Sequence, residues 1–263
     1  MTSFHCHDFD WNELAAACEG QLATPVENVD TSNLCTLAQD NWDVFHAKNN
    51  GKVYKPRNYL YKEFPELLKD NLTLLEIGCG YGSAIFPLLA QSPSMFAHVC
   101  DFSQHAITIL QENSEYDGKR CHAFVCDVVS QEIDVPDASI DIVLMIFVLS
   151  AIPPHEFDNV MAKIYKALKP GGIVCFRDYG LYDLAMLRSS KRIESTSHGF
   201  NSLYYRSDGT LAYFFSKGEL ERIFTANNRF QVVENEYNTV RLRNRKTQTN
   251  MDRVWVHGKF QKI

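Results

Sequence analysis

The sequence predicts an α/β fold built around a mostly parallel β-sheet with helices on both faces. Apolar runs of strand length alternate with segments that have the amphipathic period of a helix, an order typical of parallel strands joined by crossover helices. The run 74–77 ends in clustered glycines, as expected where a strand turns tightly into a helix. With 263 residues, the chain can form one such domain with additions.

The chain divides into three predicted parts. Residues 1–39 have few periodic apolar positions, which predicts an irregular N-terminal extension. Residues 40–70 predict a helical N-terminal segment followed by a loop that contacts ligand. Residues 71–263 predict the α/β domain itself, with a hairpin inserted near residues 186–216.

The individual elements follow from the period of the apolar residues. Trp42, Phe45 and His46 have the spacing of one helical face, which predicts a helix over 41–48. Two further helices are predicted, over 155–168 and 219–225. A hairpin is predicted about Asp208-Gly209, over 203–215. Apolar runs predict strands over 74–77, 95–100, 121–126, 140–149, 173–178, 229–237 and 253–260.

Three acids stand at the ends of three predicted strands. Glu76 directly precedes the turn that contains Gly78 and Gly80, and Asp101 closes the second strand about twenty residues later. An acid in that position can accept hydrogen bonds from both ribose hydroxyls. Asp127 ends the third strand, where a carboxylate can accept from the exocyclic amine of adenine. Each acid alone could be an ordinary polar residue at a strand end, but together they predict a nucleoside site.

The spacing of the glycines distinguishes between two nucleoside cofactors. A dinucleotide site has the pattern G-x-G-x-x-G, whereas the third glycine here is Gly82 and the sixth position is Ser83, which disfavours NAD. Glu76 places negative charge near the ligand. That charge repels a pyrophosphate and attracts the sulfonium and ammonium groups of S-adenosylmethionine. The sequence therefore favours S-adenosylmethionine as the cofactor.

Composition restricts the setting in which such a protein works. The hydrophobic fraction of 45% is that of a soluble globular protein, and no apolar run approaches the length of a membrane span. The N-terminus lacks the features of a signal peptide, and the eight cysteines include no C-x-x-C pair. We expect reduced thiols, no metal, and a cytoplasmic location with the nucleus as a second compartment.

Seven motifs resemble those of the eukaryotic tRNA 3-methylcytidine methyltransferases, over roughly residues 40–262. The last of the seven is the most specific, because the wider methyltransferase superfamily has nothing similar at its fifth strand. The motifs are Asn41-Trp-Asp-x-Phe45, Lys55-x-Arg57, Leu75-Glu-x-Gly-Cys-Gly80, Cys100-Asp-Phe-Ser103, Ile146-Phe-Val-Leu-Ser-Ala151, Leu168-Lys-Pro-Gly171 and Phe176-Arg-Asp-Tyr-Gly-Leu-Tyr-Asp183.

The resemblance implies a class I S-adenosylmethionine-dependent methyltransferase fold, which is Rossmann-like and has a seven-stranded sheet. It also implies methyl transfer to N3 of a cytidine at position 32 of the tRNA anticodon loop, with a serine tRNA as the first expectation. Cytosine N3 has a free lone pair at neutral pH, so positioning should dominate catalysis. Asp178 is the candidate carboxylate that stabilises the developing positive charge, and Arg177 the candidate that holds O2 or a phosphate. The alternative for this pair is an internal salt bridge that fixes the loop.

The remaining candidate residues form two groups. The family places the cofactor beside Trp42 and the residue at position 46, here His46, and the full cofactor set is Trp42, His46, Glu76, Gly78, Gly80, Asp101, Phe102, Asp127, Val128 and Ile146. Basic clusters in apparent insertions suggest phosphate contacts despite a net charge of −6, although each cluster could be a solvated face. The tRNA set is Lys55, Arg57, Tyr59, Arg188, Arg206, Arg241, Arg243 and Arg245.

The sequence leaves open which partners the protein has and which of two alternative functions could apply. Some members of the family act together with seryl-tRNA synthetase, and an acidic enzyme with short basic patches is consistent with such help. A methyltransferase of the same fold that acts on another RNA, a protein or a small molecule is one alternative. A subunit that binds RNA or a partner without catalysis is the other, although a complete cofactor site argues against it.

Overall fold

The structure is a computed structural model. It describes residues 6–19, 25–26, 34–49, 55–190, 192–193, 202–206, 208–243 and 248–263. Within these residues the strands are β1 (Pro25–Val26), β2 (Thr73–Ile77), β3 (Phe96–Asp101), β4 (Cys121–Val125), β5 (Ile140–Ile146), β6 (Leu168–Tyr179), β7 (Arg192–Ile193), β8 (Leu203–Tyr205), β9 (Leu211–Tyr213), β10 (Phe230–Arg243) and β11 (Asn250–Lys262).

Helices connect these strands. The α-helices of the described residues are α1 (Trp11–Cys18), α2 (Leu34–Asn49), α3 (Leu60–Glu63), α4 (Ile85–Gln91), α5 (Gln104–Glu112), α6 (Phe157–Ala167), α7 (Leu184–Leu187) and α8 (Lys217–Thr225). Short 3₁₀ turns occupy Pro65–Leu68, Leu149–Ala151, Pro154–Glu156 and Ala226–Asn228. No helix in this part of the chain is long and apolar enough to cross a membrane.

The main sheet has seven strands in the order β10-β11-β6-β5-β2-β3-β4. The five strands from β6 to β4 are parallel, whereas β10 and β11 form an antiparallel pair at one edge. The predicted mostly parallel, seven-stranded fold is therefore confirmed. Because the carboxyl ends of parallel strands meet at one edge of the sheet, the acids at or just beyond the ends of β2, β3 and β4 are brought together there.

Apolar side chains cover both faces of this sheet. On β5, Val143 and Met145 join one buried cluster, which includes residues of α6 and α8. The alternate residues Ile142 and Leu144 join a second cluster, which includes residues of α4 and α5. This alternation follows from the two-residue period of a strand, and burial on both faces accounts for the continuous apolar run of β5.

The predicted hairpin belongs to a small second sheet with the order β1-β7-β8-β9. Strands β8 and β9 pair antiparallel on either side of the turn at Asp208-Gly209. Gly209 has a φ of +82°, and Asp208 Oδ1 accepts a hydrogen bond of 3.1 Å from the Thr210 backbone N–H. A short polar residue followed by glycine provides both features of this turn.

The N-terminal extension is more ordered than the sequence predicts. Helix α1 lies within the segment expected to be irregular, and Asp10 caps it by accepting from the backbone of its first turn. Residue 7 forms a β-bridge with Thr239 of β10, and the Trp11 ring stacks on Tyr237 with centroids 4.4 Å apart. The expectation of an irregular segment is wrong for these residues because their contacts are made with β10, more than 200 residues along the chain.

The last two strands are also longer than predicted. Pairing between β10 and β11 continues to Arg243 and Asn250, well beyond the apolar runs that predict the strands. Arg241 and Arg243 therefore lie on a strand and not in an insertion. Most residues at this end of the hairpin are polar, so no regular spacing of apolar residues marks the strands there. The apolar pattern therefore ends before the hydrogen-bonded ladder does.

Candidate active site

A cavity of about 730 Å³ opens at the carboxyl edge of the parallel strands. Its wall includes the residues that end or follow β2 to β6, together with α2, the segment 55–59, and parts of β10 and β11. All ten predicted cofactor residues line it, as do Lys55, Arg57, Tyr59, Arg177 and Arg206. Residues that lie more than 200 positions apart in the sequence thus surround one space.

One end of the cavity, here called the acidic end, contains Glu76, Asp101 and Asp127. Asp101 accepts hydrogen bonds at both carboxylate oxygens, from the backbone N–H groups of Gly80 at 2.9 Å and Ser103 at 3.0 Å. These bonds fix the carboxylate against the glycine turn. Asp127 accepts from the Val129 backbone N–H at 3.0 Å, so it is held in a turn of its own.

Burial raises the pKa of two of these acids. Glu76 is 3% exposed, and its burial raises the pKa to about 8, although the Arg57 guanidinium acts to lower it. Burial also raises the pKa of Asp101, against the hydrogen bonds from Ser103 and Gly80. Glu76 Oε2 is buried and has no hydrogen-bond partner within the described chain. The acidic end therefore presents an unpaired acceptor whose charge depends on what binds beside it.

The glycine turn allows a ligand to approach the backbone. Gly78 and Gly80 have φ values of +67° and +52°, in the left-handed region that favours glycine. A Cβ at Gly78 would lie 2.5 Å from Val148 Cγ2, so a side chain there would force the turn apart. A Cβ at Gly80 would meet its nearest neighbour, His46 Cε1, at 3.8 Å. The positive φ and the close Val148 contact explain why the sequence has glycine at these positions.

Helix α2 places Trp42 and His46 over the acidic end. The Ser103 hydroxyl, at the N-terminus of α5, donates to Asp43 and so ties α2 to the sheet. His46 is 3% exposed, and burial lowers its pKa against the opposing effect of Asp101 and Asp43. A neutral imidazole therefore lies beside the acids at neutral pH.

The other end of the cavity, here called the aromatic end, contains Tyr59, Phe147, Tyr179 and Trp255. Guanidinium groups pack over all four rings. Arg57 Cζ lies 5.2 Å from the Phe147 ring centroid. Arg206 Cζ lies 5.2 Å from the Tyr179 centroid. Arg177 Cζ lies 5.1 Å from the Tyr59 centroid and 4.3 Å from the Trp255 centroid. This end combines ring faces with cations, whereas the acidic end presents carboxylates.

Asp178 does not take the position expected of a catalytic carboxylate. Its side chain is fully buried and lies outside the cavity wall, accepting from the backbone N–H groups of Ser150 at 2.9 Å and Tyr179 at 2.8 Å. Burial raises its pKa to about 6, against these hydrogen bonds. Arg177 and Tyr179 line the cavity, so the residue between them on the strand points to the opposite side. Asp178 fixes the turn after β5.

The expected ion pair within this motif is also replaced by a different one. Arg177 pairs with Glu63 of α3, 114 residues earlier in the chain, through Nη1 and Oε1. Sequence reasoning missed Glu63, and it also missed Trp255 and Arg253, which line the aromatic end. Arg253 and Trp255 are alternate residues of one predicted strand, and alternate strand residues share a face. That spacing is the sequence signal that could have identified both residues.

The predicted tRNA residues are divided by the structure. Lys55, Arg57, Tyr59 and Arg206 line the cavity. Arg188, Arg241 and Arg243 lie outside its wall, and Arg245 lies outside the described residues. Arg241 pairs with Asp252 through two contacts of 2.7 and 3.1 Å, so much of its charge is already balanced within the hairpin.

The acidic end fits S-adenosylmethionine. Asp101 lies where a ribose would be held, and Phe102, Val128 and Ile146 supply an apolar wall for a purine ring. The unpaired buried oxygen of Glu76 would gain a partner from the ammonium group of the cofactor. The residues present therefore suit both the nucleoside and the charge of this cofactor.

The chain is similar to proteins of known activity. A family model described as a methyltransferase domain matches residues 75–174. The tRNA N(3)-cytidine methyltransferase METTL6 of Homo sapiens is 42% identical over 86% of this chain and 80% of its own length. The tRNA N(3)-methylcytidine methyltransferase trm140 of Schizosaccharomyces pombe is 36% identical over 96% of this chain and 85% of its own length.

A solved structure supports the fold independently. It is the 1,6-didemethyltoxoflavin-N1-methyltransferase of Burkholderia thailandensis with bound S-adenosylhomocysteine, which aligns with a TM-score of 0.61 and 15% identity over 91% of this chain and 93% of that chain. At that identity the likeness concerns the fold alone. The sequence relatives carry the finer assignment, and by their identity and coverage this chain belongs to the tRNA N(3)-cytidine methyltransferase family.

Proposed function

We propose that this protein transfers a methyl group from S-adenosylmethionine to N3 of a cytidine in the anticodon loop of a tRNA. The observation that carries the proposal is one continuous cavity that joins the acidic end to the aromatic end. The first suits a sulfonium nucleoside, and the second suits a flat base with a phosphate beside it. The names of the relatives supply the acceptor atom and the class of RNA.

The methyl transfer requires little proton transfer by the protein. Cytosine N3 carries a free lone pair at neutral pH, and the bound cofactor supplies the methyl group. The residues of the chain must therefore hold the base in line and exclude water. The rings of Tyr59, Phe147, Tyr179 and Trp255 line the cavity, so a flat pyrimidine can stack there and is held in place as positive charge develops on it. This replaces the carboxylate role that the sequence suggests for Asp178.

The RNA must be held although the chain has a net charge of −6. Cations at the cavity, Lys55, Arg57 and Arg206 among them, can contact phosphates close to the target base. A cytidine in the anticodon loop must also leave its stack, which costs a few kcal/mol. We therefore propose that seryl-tRNA synthetase, with serine tRNA as the substrate, presents the anticodon loop to this enzyme.

The test is methyl transfer from labelled S-adenosylmethionine to total tRNA, with and without seryl-tRNA synthetase, followed by nucleoside mass analysis. Label in 3-methylcytidine supports the reaction, and dependence on the synthetase supports the partner. Label in another nucleoside would assign a different RNA acceptor. Cofactor binding without any labelled tRNA in either mixture would contradict the proposal and favour a protein or small-molecule acceptor.

A further inference from the structure

A buried carboxylate joins the N-terminal segment to the C-terminal strands behind the aromatic end. The Glu63 side chain is 1% exposed, and its Oε1 accepts from Arg177 Nη1. Asn238 Nδ2 donates to the same oxygen at 3.1 Å, and His257 Nδ1 lies 3.2 Å from it. Although burial acts to raise it, Arg177 and His257 hold the pKa of Glu63 below its usual value. Glu63 is therefore a buried anion with three partners from β6, β10 and β11.

The guanidinium that Glu63 holds forms part of the cavity wall. Arg177 lies over two rings, with Cζ 5.1 Å from the Tyr59 centroid and 4.3 Å from the Trp255 centroid. Its Nη1 is used by Glu63, whereas its Nε is buried without a hydrogen-bond partner in the described chain. The indole Nε1 of Trp255 is also buried and has no hydrogen-bond partner among the described residues. Two unpaired N–H donors thus belong to one wall.

Unpaired buried donors need an explanation, because burying an N–H group without a hydrogen bond destabilises the folded state. A pyrimidine supplies a suitable acceptor in O2, the carbonyl oxygen adjacent to N3. Arg177 is suited to this contact only if its plane is fixed, since the guanidinium fork has directional donors. The two rings restrict its faces, and Glu63 restricts its rotation within that plane.

We propose that Glu63 is a positioning residue that orients Arg177 so that its free Nε donates to O2 of the target cytosine. This inference rests on the proposed function and deepens it. The buried anion also balances the Arg177 charge, so the pyrimidine can become positive beside a neutral ion pair and not beside an isolated cation. Glu63 acts through Arg177 and contacts neither substrate nor cofactor.

The first test compares Glu63→Gln with Glu66→Gln in the full chain. Glu66 lies three residues further along and pairs with Lys259, a residue outside the cavity wall, so it is a control for loss of an ion-paired carboxylate in the same segment. We expect Glu63→Gln to lower kcat/KM for tRNA on the order of 100-fold, as for a misplaced recognition group. Cofactor affinity by calorimetry should be unchanged, and Glu66→Gln should keep its activity. Equal losses in both variants, or lost cofactor binding in Glu63→Gln, would assign Glu63 to folding alone.

A double-mutant cycle tests whether Glu63 acts through Arg177. Arg177→Gln and Glu63→Gln/Arg177→Gln should have similar kcat/KM values, because removing the guanidinium removes what Glu63 positions. Losses that multiply would overturn the proposal. Arg177→Lys answers the same question without disturbing Glu63, since it keeps the charge but not the planar fork. It should lose activity as Arg177→Gln does, and full activity would overturn the proposal.

Failure of this inference can be distinguished from failure of the proposed function. If the unmodified protein forms no 3-methylcytidine in any tRNA, the proposed function is wrong and the variants no longer test the role of Glu63. Should it form 3-methylcytidine while Glu63→Gln remains fully active, the function stands and the positioning role falls.

Discussion

The two ends of the cavity are assembled in different ways. The acidic end takes Glu76, Asp101 and Asp127 from the ends of three adjacent parallel strands, all within 52 positions of sequence. The aromatic end takes Tyr59 from before the sheet and Trp255 from its last strand. Cofactor binding therefore depends on the local geometry of a parallel sheet, whereas the proposed base recognition depends on contacts between distant parts of the chain.

This difference also separates what each end recognises. Carboxylates and an open backbone suit a cationic nucleoside, whereas ring faces suit a flat base and guanidinium groups suit its carbonyl oxygen or a nearby phosphate. Changes at one end should therefore leave binding at the other intact. The predictions below test that independence, beginning with the largest expected effect.

Asp101→Asn should abolish most cofactor affinity while tRNA affinity persists. Both carboxylate oxygens already accept backbone N–H bonds, so the amide group of Asn would place a donor against a donor. The carboxylate charge that strengthens the bonds from the two ribose hydroxyls is also lost, and about 1.5 kcal/mol for each of these bonds corresponds to a weakening on the order of 100-fold. Calorimetry with S-adenosylmethionine and a tRNA gel shift measure the two affinities.

Asp141→Asn is the matched control for this change. Asp141 also accepts a backbone N–H, from Thr73 at 2.9 Å, but it lies at the opposite edge of the sheet. Its variant should bind cofactor as the unmodified protein does. Loss of tRNA affinity in Asp101→Asn would show that the two ends are coupled and would break the comparison.

Glu76 should make cofactor affinity depend on pH. Its pKa of about 8 means that the free protein carries a protonated Glu76 at neutral pH. A bound cation favours the carboxylate and so releases that proton, which makes affinity rise with pH toward 8 and level off above it. The rise is limited to about tenfold per pH unit for one proton.

Glu76→Gln isolates this contribution from the titration of the cofactor itself. The variant should show a shallower rise in affinity between pH 6 and about 8 than the unmodified protein. Calorimetry in buffers of different ionisation enthalpy counts the proton released. Identical pH slopes in the two proteins would mean that Glu76 does not exchange a proton on binding, and the acidic end would then attract the cofactor by shape more than by charge.

Arg243→Gln should have the smallest effect and concerns tRNA alone. Arg243 is exposed at the end of β10, beyond the cavity wall, so it can contact only phosphates away from the target base. We expect an affinity loss of about threefold and a salt slope lower by about one. Arg229→Gln, at the other end of the same strand, should change neither quantity. An unchanged slope for Arg243→Gln would limit the RNA surface to the cavity.

Most of the fold could be predicted from the sequence because its strands are buried on both faces. The apolar run of β5 and the turn at Asp208-Gly209 determine local structure without help from distant residues. The extent of β10 and the order of residues 6–8 could not be predicted in this way. The extent of β10 depends on its hydrogen-bonded ladder with β11, and the order of residues 6–8 depends on bonds to β10, such as the one from the Asp8 backbone N–H to Thr239 O.

The candidate site follows the same division. The sequence predicts the acidic end because each acid stands at or just beyond the end of its own strand, and parallel strands end at one edge. It does not predict the partner of Arg177, because the nearest acid along the chain, Asp178, points to the other side of the strand. Glu63 gives no signal in sequence, since its role depends on partners that α3 meets only after folding.

The Glu63 contacts also determine when the site can exist during synthesis. Arg177, Asn238 and His257 follow Glu63 by 114, 175 and 194 residues. At roughly 5–20 residues per second, a growing chain carries Glu63 for about 10 to 40 s before its last partner is made. The acids at the other end are all synthesised by residue 127. A ribosome that stops before β11 therefore releases a chain with every cofactor acid and no closed surface for the base.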